Sequence, residues 1–164
     1  MKGLVFSLLL AFFSSTFAAQ IPQSDPIVGR WLYNGVIHDL NDSFSNAFTG
    51  YCWILGSPNP YWTQAANCRQ WHRSGTGTLE YNGQAYYYVT KITTGVYAFS
   101  TSSNPQSGNG QLYIVTFSDD YETASGVMLL EDDEGPGDEV RHWTMEWVDS
   151  TFNVNTWFNW FDSL

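Results

Sequence analysis

Positive charge is scarce in this chain: six lysines and arginines stand against sixteen aspartates and glutamates, for a formal net charge of −10. A surface of that sign repels phosphate backbones and anionic headgroups, so neither nucleic acid nor a membrane surface is an expected partner. Histidine is also scarce. His38, His72 and His142 are scattered, none stands in an HExxH, a nucleophile elbow or a cysteine-protease pattern, and metal or triad chemistry has no support. The longest apolar run, LVFSLLLAFF after Lys2, falls short of the ~20 residues a spanning helix requires. With Thr16 and Ala18 placed as an A-x-A-like pair, residues 1–18 read as a secretory signal peptide, leaving 19–164 as a single secreted, extracellular domain.

Cysteine is limited to Cys52 and Cys68. In an oxidising compartment the two are expected to pair, and a loop of that size stabilises by roughly 3 kcal/mol in the chain-entropy model. Asn41-Asp42-Ser43 is a candidate N-glycosylation site. The acidic stretch Glu131–Glu139 lacks the D-x-D-x-D-G spacing of a calcium loop and reads as a solvated hairpin tip. No cofactor and no metal is expected.

What the chain does contain is short β-favouring runs between turn signals. The first, from Val28, is expected to end near Asn34-Gly35, and HDLNDSFSNAFTGY after it reads as a short helix or a long loop. GTLEY and AYYYVTKI flank Asn82-Gly83, a strong hairpin signal, and GVYAFSTS, QLYIVTF, a run ending in GVMLL, and VRHWTMEWVDS follow. With no helical pattern between them, these runs predict an all-β antiparallel meander of about eight strands. In the tail, Trp157, Trp160, Phe161 and Leu164 recur at i, i+3, i+4 and i+7, which predicts a short C-terminal helix with a strand as the competing reading.

Eight tryptophans, ten tyrosines and, beyond residue 18, seven phenylalanines exceed what closing a small core requires. Such side chains line cavities for apolar or planar ligands and also fill small barrels. In RHWTMEWV, alternation sets Arg141, Trp143, Met145 and Trp147 on one face.

Two motifs give this pattern a family likeness. Gly29-Arg30-Trp31 resembles the G-x-W of the first lipocalin strand, and Asp119-Asp120-Tyr121 resembles the T-D-Y turn between the sixth and seventh strands. The resemblance implies an eight-stranded antiparallel up-and-down barrel with a short C-terminal helix. Gly29, Trp31, Asp120 and Tyr121 are then scaffold positions at its closed end. The sequence departs from the family in lacking an arginine at the end of the eighth strand, where Trp147-Val148-Asp149-Ser150 stands, so that only Arg30 is local to Trp31.

The implied function is a secreted carrier of a small, mostly hydrophobic ligand, without enzymatic activity. Its cavity is expected to be lined by Tyr113, Val115, Phe117, Met128, Leu130, Trp143, Met145 and Trp147, with Trp53, Tyr61 and Trp62 at the mouth. A carboxylate such as Glu80 or Glu146 inside it would instead favour a cationic amine. Two other classes remain in view. One is a carbohydrate-binding β-sandwich using Tyr61, Trp62 and Trp71 as a platform, and the other is a secreted glycoside hydrolase with paired carboxylates such as Glu80 and Glu146.

Overall fold

A computed structural model describes residues 19–39, 45–73, 79–102, 110–130 and 139–150. Eight antiparallel strands close into a barrel in sequence order: β1 (Gly29–Asp39), β2 (Ser45–Ile54), β3 (Ala66–Arg73), β4 (Leu79–Thr93), β5 (Val96–Ser100), β6 (Leu112–Phe117), β7 (Thr123–Leu130) and β8 (Glu139–Asp149). β8 returns to pair with β1, from Arg30 opposite Asp149 to Asp39 opposite Glu139. The described residues contain no helix, and none long and apolar enough to cross a membrane. The expected leader at 1–18, Asn41, the acidic stretch at 131–138 and the expected terminal helix lie outside the described residues.

Three local expectations are corrected. β1 does not stop at Asn34-Gly35 but runs on to Asp39, because Gly35 serves close packing and not a turn. A Cβ there would lie 2.0 Å from Cζ of Phe48, its cross-strand partner. The polar segment after β1 is largely strand, since Ser45–Ile54 pairs along β1. Asn82-Gly83 makes no hairpin: it lies inside β4, where Gln70 faces Gly83 while Trp71 faces Tyr81. Asn82 is thus the extra residue of a β-bulge, and Gly83 supplies the φ of +137° that the bulge uses.

Inward glycines repeat the Gly35 arrangement. A Cβ on Gly50 would meet the Arg69 carbonyl oxygen at 2.0 Å and the ring of Tyr33 at 2.7 Å, and one on Gly126 would meet Nε1 of Trp143 at 2.7 Å. Each glycine stands opposite its aromatic in the register. A ring lying across a glycine covers backbone that has no side chain of its own and gains room to point inward.

One end of the barrel is closed by residues 19–28. The Ile21 amide donates to the Val89 carbonyl at 2.9 Å, and Ile21 and Ile27 are buried. Trp31 is wholly buried, its Nε1 donating to the Ile27 carbonyl at 2.9 Å and its ring meeting Phe117 edge-on at 5.0 Å. The turn after β6 lies alongside. Asp120 Oδ1 accepts from Ser118 Oγ at 2.6 Å and from the Glu122 amide at 3.1 Å. Those two bonds, the Ser118 bond foremost, hold the Asp120 carboxyl below its ordinary range. Tyr121 there takes φ of 58° and stacks toward Phe117 at 6.3 Å. Cys52 and Cys68 are bonded as direct neighbours across β2 and β3.

Candidate functional site

The strand directions divide the connections into two groups. The segment 19–28, the β2–β3 connection, the β4–β5 and β6–β7 turns and the end of β8 share the end occupied by Trp31. The strand ends leading into the other four connections lie at the opposite end.

Toward that opposite end the interior is a cluster of rings centred on Trp143. Its centroid lies 4.7 Å from Tyr113, 5.7 Å from Tyr33, 5.9 Å from Phe99 and 6.2 Å from Tyr87, and Tyr33 touches Phe48 edge-on at 5.8 Å. Most of these contacts are T-shaped, the arrangement that sets a ring edge against a π face. Among the rings is a hollow bordered by Tyr33, Phe48, Tyr87, Tyr113 and Trp143, with Cys68, Gln70 and Arg141 completing its wall. Its volume is about 10 Å³, room for about one water. Trp143 Nε1 is buried and makes no hydrogen bond among the described residues. The site therefore offers aromatic faces, an amide and one guanidinium.

Sequence alternation located part of this set. Tyr113, Val115, Phe117, Trp143 and Met145 are buried in the core and Met128 packs partly against it, but Phe117 and Met145 belong to the Trp31 half. Trp147 shares the inward phase of β8 yet is 44% exposed, because it stands where the strand runs out beside Gly29, a Cβ on which would meet its Nε1 at 2.8 Å. The side chains of Leu130 and Glu80 lie outside the described part. Glu146 is exposed on the outer wall, so it offers no interior carboxylate for a cationic amine. Missed were Tyr33, Phe48, Gln70, Tyr87 and Phe99. The signal for Tyr87 was present, since Tyr87 and Val89 share one phase of AYYYVT while Tyr86 and Tyr88 take the other.

The mouth residues are corrected as a group. Trp53, Tyr61 and Trp62 lie at the Trp31 end, because the β2–β3 connection that carries them leaves β2 there. Trp53 is 2% exposed and lies beneath Arg30, whose Cζ is 5.7 Å from its ring. Arg30 also pairs with Asp149. The local arginine thus covers Trp53, while Trp31 is covered by Ile27 and Phe117.

A second polar group sits at the closed end. Asp25 is buried, accepts from Tyr97 Oη at 2.9 Å and from the Ile27 amide at 3.3 Å, and has Lys91 Nζ at 3.9 Å. Burial first, and then the bond to Asp25, holds the Tyr97 phenol well above its ordinary range. These bonds fasten the plug to β4 and β5.

Two larger hollows lie on the outer wall. One, of about 440 Å³, runs over Asn34, Val36, Ala47, Thr49, Trp71, His142 and Thr144. The other, of about 570 Å³, runs over Thr116, Ser118, Thr123, Ser125 and Glu146. Both are open grooves. Among the described residues no group of three or more histidines, cysteines or carboxylates could hold a metal ion.

No protein-family model matches the chain, and no curated protein matches it either.

Proposed function

We propose that the protein is a divergent lipocalin-like binding protein, secreted, which carries a small, mostly apolar molecule in the half of the barrel remote from Trp31. The observation that supports this reading is the convergence of Tyr33, Phe48, Tyr87, Tyr113 and Trp143 around an interior hollow edged by Gln70 and Arg141. Apolar area removed from water contributes ~25 cal/mol per Å². Because the hollow holds about one water, a ligand gains this only by turning rings aside, and its affinity is net of the contacts it displaces. Ring faces accept an apolar body, and a guanidinium beside them favours a ligand that ends in a carboxylate over one that ends in an amine. The reading assigns no catalytic group.

The test is titration with cis-parinaric acid and with retinol, followed by tryptophan fluorescence. Both are expected to change the emission of the native protein, and Trp143→Phe is expected to remove most of that change while Trp147→Phe leaves it. Arg141→Gln is expected to weaken the acid about tenfold, the loss of one charged hydrogen bond, and to leave the alcohol unaffected. A native protein unresponsive to both ligands, or a response that survives in Trp143→Phe, rejects the site.

A further inference from the structure

The β2–β3 connection presents aromatic rings on the outer surface and is braced more heavily than a plain connector requires. Tyr61 at its tip is 47% exposed. Its ring is 5.8 Å from Trp62 at an interplanar angle of 44°, and Trp62 in turn lies 5.9 Å from Tyr86 of β4 at 63°. The rings form an angled cradle, not a flat platform. From Tyr86 a polar chain continues across the outer wall: Gln84 Nε2 donates to Tyr86 Oη at 3.0 Å, and Arg69 Nε donates to Gln84 Oε1 at 3.0 Å.

The bracing comes from four sides. Asn59 Nδ2 donates to the carbonyls of Gly56 and Gln64 at 2.8 and 3.0 Å, while its Oδ1 accepts from the amides of Tyr61 and Trp62, each at 3.1 Å. The Cys52–Cys68 bond staples the strands at the base. Leu55 and Gly56 amides donate to the Ala65 carbonyl, and the segment 19–28 contributes bonds from Gln20 and Gln23 to Thr63 and Pro58. Fixing of this kind pairs the connection's own backbone groups, and it also orders the rings that the connection carries. A recognition ring gains affinity, because the entropy of ordering is spent before the ligand arrives.

We propose that Tyr61, Trp62 and Tyr86, with Gln84 and Arg69, form a second binding site, on the outside of the barrel, for a gluco-configured, equatorially linked pyranose chain. Such a chain has faces of axial C–H groups, which rest against aromatic rings, and edges of equatorial hydroxyls, which suit an amide and a guanidinium side by side. The angle between the rings fits two successive sugar units turned relative to one another. This site shares no residue with the interior one and does not depend on it.

The test is calorimetric titration of the whole disulfide-bonded protein with cellohexaose and with chitohexaose. At least one is expected to bind with a Kd below about 1 mM, with Trp62→Ala and Tyr61→Ala each weakening it about tenfold or more and Gln84→Ala several-fold. Trp143→Phe is expected to change nothing. Tyr61 and Gln84 are exposed, so their variants keep the question open to refutation should Trp62→Ala fail to fold. Absence of heat with both sugars at about 10 mM, or binding that is the same in Tyr61→Ala and Gln84→Ala as in the native protein, overturns the proposal.

Discussion

Trp31 is held by three contacts of different kinds: complete burial, a hydrogen bond to the Ile27 carbonyl, and the edge of Phe117. Replacing so large a buried ring by alanine costs about 3–5 kcal/mol. Trp31→Ala is therefore expected to lower the urea midpoint sharply, while ligand affinity measured on the remaining folded protein stays the same. Trp31→Phe retains most of the apolar contact and should cost less, chiefly the lost bond to Ile27. Tyr97 gives a prediction in pH. Its pKa is raised in the folded protein from an ordinary value of 10.0, so above that value the unfolded chain releases a proton that the folded chain keeps. Its contribution to stability is thus whole below pH 10 and declines as the pH rises beyond it. Tyr97→Phe is expected to lower stability at neutral pH by roughly 1–3 kcal/mol, since Asp25 loses its donor. The same variant should flatten the alkaline part of the stability profile, which denaturant titrations at pH 8 to 11 would show.

Among the strands, the glycine and ring pairs set the packing, and they differ in how readily they yield. An alanine at Gly126 meets the edge of the Trp143 indole, a side chain that can shift, whereas one at Gly50 meets a backbone carbonyl at 2.0 Å. Overpacking of this kind costs about 1–3 kcal/mol. Gly50→Ala should reach or exceed the top of that range and Gly126→Ala fall toward its bottom, as equilibrium denaturation of the two variants would report. The same elements show how far the sequence could be read. Alternation found β5 to β8 because each is a short run between turn signals. Asn82-Gly83 misled because a tight hairpin and a bulge both call for a glycine of positive φ, and only the strand opposite, with Gln70 facing Gly83, decides between them. The unread β2 had a larger effect than its ten residues suggest. One additional antiparallel strand reverses the end of the barrel at which the next connection emerges, and this moved Trp53, Tyr61 and Trp62 from the expected mouth to the floor. The ring cluster was half legible for a related reason: β8 was phased correctly, but Tyr33 and Phe48 belong to strands whose length or existence the polar residues between them concealed.

At the scale of the whole molecule, the Cys52–Cys68 bond joins residues 16 apart, and cross-linking a loop of that size contributes about 3 kcal/mol in the chain-entropy model. Denaturation with and without reductant should differ by about that amount, with the oxidised form the more stable. The barrel's seam has a consequence of another kind. Every neighbouring pair of strands but one is adjacent in sequence, so seven pairings can form over short stretches of chain. The eighth joins β8 to β1, and the Arg30–Asp149 contact across it links residues 119 apart. Loop-closure entropy must be met before that pairing returns any energy, and topologies rich in such distant pairings fold in milliseconds to seconds, not microseconds. The seam is thus expected to be the last ladder to zip in refolding, with the amides of Leu32 and Asn34 among the latest to become shielded from exchange.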